Sequence, residues 1–261
     1  MARTVIQRVT IRQASLVVCI SSVFRDHLVN DYRFPRNATL VAPNPVSLER
    51  FDETTKGDLE EPPIVLIVGR IALRKGIDQI VALSHVLKRR GVEVRLRIVG
   101  GHSLWSDYRL LLNDLEPTNA TYVGPLAADD IPGELQCSDM LVQASKYEPF
   151  GLTVAEALAA GVPVIATSEV GAIEGTSNLS TVETPVGDSQ ALADAVETML
   201  ERLYTDARSV RLAARADAER LFSPEVVCRR ISDALEELTV SAAKAKFDHR
   251  RGAIMGEGDP M

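Results

Sequence analysis

The segment SKYEPFGLTVAEALAAGVPVIAT, residues 145–167, sets two glutamates, Glu148 and Glu156, around a Phe-Gly-Leu-Thr turn. The turn follows an apolar stretch, DMLVQAS, and an alanine-rich stretch leads from it directly into a second apolar one, VPVIAT. A strand, a helix and a strand in this order predict a right-handed crossover between parallel strands. Ligands bind such sheets at the carboxyl ends of the strands, so the turn is a candidate site for a polyhydroxylated ligand.

The same alternation continues over residues 64–205. Stretches that are apolar on both faces, such as PIVLIVG, are typical of central strands in a parallel sheet. We therefore predict an α/β fold with a Rossmann-like doubly wound parallel sheet. The predicted strands are PIVLIVG, EVRLRIVGG, ATYVG, DMLVQAS, VPVIAT and LSTVE, and the helices are GIDQIVALSHVLKRR, segments around DYRLLLNDL and IPGELQ, TVAEALAAG and SQALADAVETMLERLY.

The rest of the chain divides around this domain. Residues 1–50 hold an incomplete amino-terminal α/β segment: a helix over VIQRVTIRQAS, the strand SLVVCIS, a helix capped by Ser21 or Ser22, and a strand in NATLVAPNPV. The other predicted parts are an acidic, turn-rich linker over 51–63, helices over 206–240 with Ser223 as a cap, and a flexible tail over 241–261.

The amino-terminal segment holds too few strands to complete a sheet. We expect an apolar surface around residues 14–20 and 38–42 that favours self-association or a partner chain. Its seven arginines against three acidic residues would also allow contact with an anionic membrane, although solvated arginines explain them as well.

Composition excludes several classes of protein. The net charge of −7 argues against a nucleic-acid partner. Three cysteines, Cys19, Cys137 and Cys228, are too few and too far apart for a disulfide framework, which fits a reducing compartment. No apolar run reaches the ~18 residues of a membrane span. We expect a cytoplasmic protein, with the inner membrane face as a peripheral location.

The stretch IVGRIALRKG, residues 67–76, predicts an anion site. Gly69 allows a sharp turn off the strand, and Arg70 and Lys75 then reach the ligand end of the sheet, where they would clamp a diphosphate. The alternative is two solvated surface cations. The spacing is not that of a P-loop.

A pair of glycines also follows the next predicted strand. In RIVGGHS, Gly100 and Gly101 would allow the backbone to approach a ligand closely, and His102 is expected to be a surface residue.

The two glutamates have different alternatives. Thr153 and Glu156 fit a T-x-x-E capping box, which would give Glu156 a purely structural role. That box leaves Glu148 unexplained. A carboxylate accepts sugar hydroxyls well, and amides at a helix start bind phosphate oxygens.

These motifs together resemble a known family. EPFGLTVAEALAAGVPVIAT with its E-x7-E spacing, preceded by VGR-x4-KG and IVGG, is similar to the donor-binding domain of the retaining GT-B glycosyltransferases of group 1, family 4 in the usual classification. The resemblance covers roughly residues 10–240. APNPVSLERF resembles the interdomain stretch of the family, usually Asn-Gly-Val-Asp, from which Asn44-Pro45 and Ser47 depart.

The resemblance implies the C-terminal half of a GT-B fold and a hexosyltransferase that uses a nucleotide-diphosphate sugar with retention of anomeric configuration. No D-x-D motif is present, so we expect no metal and no cofactor. The resemblance assigns Arg70, Lys75 and Glu148 to catalysis; Arg70, Lys75, Leu152 and Thr153 to the diphosphate; Glu148, Phe150 and Gly151 to the sugar; Glu156 to the ribose; and Leu126 to the base.

The chain also departs from this family. Residues 1–50 are only a remnant of the first domain, whose Gly-rich loop and catalytic histidine or aspartate have no counterpart; His27 and His85 are expected to be surface or packing residues. The alternative function is a non-catalytic nucleotide-sugar-binding module, or a half-enzyme that needs a partner chain. An epimerase or a phosphorylase fits the E-x7-E block less well, and an oxidoreductase lacks its G-x-G-x-x-G. The base, the sugar and the acceptor (carbohydrate, lipid-linked or small molecule) stay open.

Overall fold

A computed structural model of the chain describes residue 11 and residues 13–51, 59–102 and 107–255. Most of the helix predicted over VIQRVTIRQAS and of the predicted linker therefore lies outside the described residues. The elements in chain order are β1 Val17–Cys19, α1 Ser22–Tyr32, β2 Thr39–Val41, β3 Ile64–Val68, α2 Ile77–Arg90, β4 Arg95–Val99, β5 Ala120–Gly124, α3 Ile131–Gln136, β6 Met140–Gln143, α4 Leu152–Ala159, β7 Val164–Thr167, β8 Thr181–Thr184, α5 Ser189–Phe222 and α6 Pro224–Met255.

The main sheet has six parallel strands in the order β5-β4-β3-β6-β7-β8. The chain first extends the sheet to one side of β3 and then returns to its other side with β6, in the register Val65 opposite Met140. This reversal creates a switch point, where the carboxyl ends of β3 and β6 diverge and leave a crevice. The predicted α/β Rossmann-like fold is confirmed.

Helices cover both faces of this sheet. On one face, Leu83 and Leu87 of α2 pack with Val196 and Met199 from the first half of α5. On the other face, α4 packs with the second half of α5, which contributes Ala214, Ala218 and Phe222. Both β6 and β7 are buried along their whole length, which explains why each is apolar except for its last residue, Gln143 or Thr167.

Two predicted helices differ from their observed forms. The stretch around DYRLLLNDL forms a 3-10 helix, Arg109–Asp114, because so short a segment before Pro117 cannot propagate an α-helix. Helix α5 continues from the predicted helix SQALADAVETMLERLY into the region of the helices predicted over 206–240, with a non-helical break at Asp206. The Asp206 carboxylate accepts a hydrogen bond from the Ser209 amide at 2.9 Å. The division into domains, including the tail over 241–261, stays a prediction.

The amino-terminal segment forms a small unit of its own. Strands β1 and β2 pair in parallel, and Ser21 caps α1 by accepting a hydrogen bond from the Phe24 amide at 3.0 Å, as predicted. Cys19, Leu28 and Phe34 form its buried cluster.

Hydrogen bonds fasten this unit to the main domain. The Ser21 hydroxyl donates to the carbonyl of Pro149, the Ser22 hydroxyl donates to Glu174 at 2.7 Å, and the Val46 amide donates to the Phe222 carbonyl at 2.9 Å. The amino-terminal unit therefore borders the turn that carries Glu148.

Candidate functional site

The loops after β3 and β6 meet at the switch point. The ammonium of Lys75, from the loop after β3, donates a hydrogen bond to the carboxylate of Glu148, from the loop after β6. Both side chains are largely buried, 19% and 13% exposed. The structure therefore brings together a cation and a carboxylate that the sequence predicts in one site.

Close backbone packing holds the loops after β3 and β6 against each other. A Cβ atom at Gly76 would lie 1.9 Å from the carbonyl oxygen of Ala144, and its φ of 76° favours glycine. The Lys146 amide donates to the Arg74 carbonyl at 2.9 Å, and the Arg74 guanidinium donates to the Tyr147 carbonyl at 2.6 Å. These contacts hold the two loops together.

The predicted glycine loops lie side by side at the same edge. The Gly69 amide donates to Val99 at 3.0 Å, the Ile71 amide to Gly101 at 2.8 Å, and the Gly100 amide to the Gly124 carbonyl at 2.9 Å. A Cβ atom at Gly100 would lie 1.7 Å from the carbonyl oxygen of Gly69. Gly100 is thus required by packing between loops, whereas Gly101 has ordinary space around it.

The capping box, the structural alternative for Thr153 and Glu156, does not form. Helix α4 begins at Leu152, and its cap is Gly151, two residues before Thr153, with a φ of 97° and no side-chain hydrogen bond. No described residue accepts a hydrogen bond from the amides of Leu152 and Thr153, the first two of the helix. These amides are available to an anion.

The Glu156 carboxylate does not cap α4. Its side chain is 17% exposed, and no described residue donates a hydrogen bond to its carboxylate. Burial raises the pKa of Glu156, and the nearby guanidinium of Arg50, 3.9 Å away, lowers it. A half-buried carboxylate with free oxygens is suited to accept hydroxyl groups.

Arg70 and Leu126 occupy less constrained positions. Arg70 is exposed and forms no ion pair with a described residue, but it lines a narrow cleft with Gly69, Lys75 and Gln143. Leu126, in the loop after β5, is half-buried against the core on the α4 side of the sheet.

A cavity of about 500 Å³ opens beside Glu148. It is formed by the turn over 147–152 together with Arg74 and two residues of the amino-terminal segment, Ile20 and Asn44. Sequence reasoning missed Arg74, Tyr147, Ile20 and Asn44, as well as Arg50. The stretch APNPVSLERF could have indicated Asn44 and Arg50, because it already resembled an interdomain segment next to the donor site.

A second cavity, of about 760 Å³, lies at the opposite edge of the sheet, among residues that include Glu61, Lys88, Arg95 and Asn119. None of the predicted site residues lines it. The carboxyl edge is therefore the better candidate site.

His27 and His85 are packing and surface residues, as predicted. His27 is about half exposed and packs edge-on against Tyr147, with ring centroids 4.5 Å apart, and His85 lies 2.7 Å from the carbonyl of Asp114. Among the described residues, no three His, Cys, Asp or Glu side chains cluster as metal ligands. Within the same residues, no helix has the length and apolar character needed to cross a membrane.

The fold and site define a class of protein. The sequence profile of the family described as "Glycosyl transferases group 1" matches residues 49–216, which span the sheet and both glutamates. The chain therefore belongs to the group 1 glycosyltransferases, and the resemblance carried by the E-x7-E block is confirmed.

Particular relatives agree with this assignment. Mannosylfructose-phosphate synthase from Agrobacterium fabrum is 30% identical over 173 residues, which are 60% of this chain and 38% of that protein. A GDP-mannose-dependent alpha-(1-6)-phosphatidylinositol monomannoside mannosyltransferase from Mycobacterium tuberculosis is 29% identical over 216 residues, covering 76% of this chain and 56% of its own.

Among solved structures, sucrose-phosphate synthase from Thermosynechococcus elongatus superimposes with a TM-score of 0.73 at 25% identity, over 92% of this chain and 62% of that one. The chain spans about half the length of the curated relatives that it matches.

Proposed function

We propose that this chain carries the nucleotide-sugar donor site of a hexosyltransferase that acts with retention of anomeric configuration. The observation that carries the proposal is the pairing of Lys75 with Glu148 at the switch point of the sheet, beside the free amides of α4. Its family membership supports the same reaction class.

The residues have complementary roles in this proposal. Lys75 and Arg70 would balance the charge of the donor diphosphate, and the amides of Leu152 and Thr153 would donate to its oxygens. Glu148 would accept hydroxyls of the donor sugar beside Phe150 and Gly151. Two further residues complete the donor site, Glu156 at the ribose and Leu126 near the base.

The proposed chemistry would use this arrangement as follows. The bond from the anomeric carbon to the diphosphate oxygen breaks, and a bond to the acceptor oxygen forms on the same face of the sugar. The leaving diphosphate takes up the acceptor proton. Lys75 and Arg70 stabilise the charge that develops on the diphosphate, which is electrostatic catalysis without a metal.

The family and the relatives are transferases, which favours this proposal over a non-catalytic nucleotide-sugar-binding module. The acceptor would be a carbohydrate, a lipid-linked sugar or a small molecule.

Calorimetric titration of the chain with UDP, GDP and ADP and their glucose and mannose conjugates tests the donor site. We expect one nucleotide series to bind, and both Arg70→Ala and Glu156→Ala to weaken it by about tenfold or more. Arg36→Ala is the control, since Arg36 pairs only with Asp26 among the described residues, at 2.8 Å. No binding by a folded wild-type chain would contradict the proposal.

Association is a separate proposal. Val18 on β1 is 41% exposed, and β1 pairs only with β2 within the described residues. We expect concentration-dependent association in sedimentation equilibrium, weakened by Val18→Asp. A monomer at high concentration would contradict it.

A further inference from the structure

Arg50 contacts two elements that border the proposed nucleotide site. It ends the 3-10 helix Leu48–Arg50, and its Nη1 atom lies 3.9 Å from Oε1 of Glu156. Its Nη2 atom donates to the carbonyl of Ala128 at 3.4 Å and lies 4.0 Å from Asp129. Arg50 therefore bridges the carboxylate of α4 and the loop that follows β5.

The backbone around Arg50 is held in place. Phe51, the next residue, is buried in the core on the α4 side of the sheet. The guanidinium of Arg215, on α5, donates to Ala159 at 2.6 Å and to Leu48 at 3.4 Å, which joins the 3-10 helix to the end of α4. Arg50 thus extends from a fixed support.

We propose that Arg50 is a positioning residue of the donor site, which keeps the Glu156 carboxylate ionised and facing the ribose; this rests on the function proposed above. At 3.9 Å, Arg50 supplies positive charge without forming a hydrogen bond. Both carboxylate oxygens therefore stay free to accept a pair of ribose hydroxyls.

The other nearby charges do not replace Arg50. Asp129 lies against the guanidinium and not against Glu156, and Arg215 pairs with Glu219 at 2.9 Å. Burial raises the pKa of Glu156, and Arg50 is the group that lowers it. Without Arg50, the effect of burial therefore raises the pKa of Glu156 further.

Calorimetry with UDP and GDP between pH 5 and pH 8 tests this role. In the wild type, affinity falls as Glu156 becomes protonated. In Arg50→Gln we expect the midpoint of that loss to move upward by about one pH unit, with affinities at pH 8 within about threefold of wild type. Arg50→Lys keeps the positive charge, so its midpoint should lie closer to that of the wild type. Arg36→Gln, an equal loss of charge within the amino-terminal segment, leaves the profile unchanged.

A second measurement does not depend on the nucleotide. Carbon NMR of the Glu156 carboxyl, assigned with Glu156→Gln, should show the same upward shift of its titration in Arg50→Gln. If the wild type and Arg50→Gln show the same Glu156 titration and the same pH profile of nucleotide binding, the role of Arg50 is overturned. A pH-independent loss of affinity that persists in a Glu156→Gln background would overturn it too, because Arg50 would then contact the nucleotide itself. If the wild-type chain binds no nucleotide but the Glu156 titration still moves upward in Arg50→Gln, the proposed function is overturned. The role of Arg50 in the donor site is then overturned with it.

Discussion

Lys75 donates a hydrogen bond to Glu148 although the two residues are 73 positions apart in the sequence. The contact lies in the crevice between the carboxyl ends of β3 and β6, where open parallel sheets bind their ligands. In this arrangement the ammonium and the carboxylate neutralise each other. A donor molecule would bring a diphosphate to the first and hydroxyl groups to the second.

Lys75→Met should therefore weaken binding of the preferred nucleotide-sugar by about 10- to 100-fold, the loss of one charge-assisted contact of about 1.5 to 3 kcal/mol. Calorimetry on the folded variant measures it. Lys88→Met is the control, since Lys88 lies at the opposite edge of the sheet. Equal affinities for the wild type and Lys75→Met would remove Lys75 from the site.

Gly100 and Gly101 should separate stability from binding. Gly100→Ala places a Cβ atom 1.7 Å from the Gly69 carbonyl, so the loops after β3 and β4 must move apart. We expect a loss of about 2 to 3 kcal/mol in the free energy of unfolding in urea.

In Gly101→Ala the new methyl group meets only Pro125 among the described residues, at 3.5 Å, so stability should stay within ~0.5 kcal/mol of wild type. If the donor approaches the backbone at Gly101, affinity falls in this variant. Similar stabilities of the two variants would contradict the packing argument.

Much of this site could be predicted from sequence because it lies where strands end. Apolar runs locate β3, β4 and β6, and parallel strands place their carboxyl ends at one edge, so Gly69, Gly100 and Glu148 could be expected at the same edge. The switch point itself depends on strand order, which local patterns do not encode.

The errors have physical causes too. A T-x-x-E spacing predicts a capping box only if Thr153 is the cap, and the positive φ of Gly151 instead starts α4 before it. Arg50 went unnoticed because a single arginine in a short 3-10 helix carries no periodic signal. Its proximity to Glu156 comes from long-range contacts that join the 3-10 helix to the end of α4.

Glu156→Gln should stabilise the fold while weakening the proposed ribose contact. Burial raises the folded-state pKa of Glu156, so protonation favours folding, and the contribution of this group to stability is lost as pH rises through the folded pKa. A neutral glutamine avoids that loss. We expect a Tm about 2 °C above wild type at pH 8 and no difference at pH 4.

The opposite change supplies the control. Arg50→Gln should lower the Tm at pH 8, because it removes the charge that opposes the burial of Glu156. A Glu156→Gln variant that is less stable than wild type at pH 8 would mean that the carboxylate supports the fold after all.

Arg211 and Asp139 form a buried ion pair at 3.0 Å that joins α5 to the amino edge of the sheet, 2% and 0% exposed. Asp139 also accepts a hydrogen bond from the Ile64 amide at 2.8 Å, where β3 begins. Burial lowers the pKa of Arg211, and Asp139 partly opposes that shift. Removing the cation alone would leave a carboxylate buried at the start of β3.

We expect Arg211→Met to cost about 3 to 5 kcal/mol in the free energy of unfolding, measured in urea. Arg208→Met, on the exposed face of the same helix, should change it by less than ~0.5 kcal/mol. Adding Asp139→Asn to Arg211→Met should recover part of the loss, since the neutral amide oxygen still accepts from Ile64. No recovery would mean that Arg211 stabilises the fold by packing, because the charge left on Asp139 would then not be the cause.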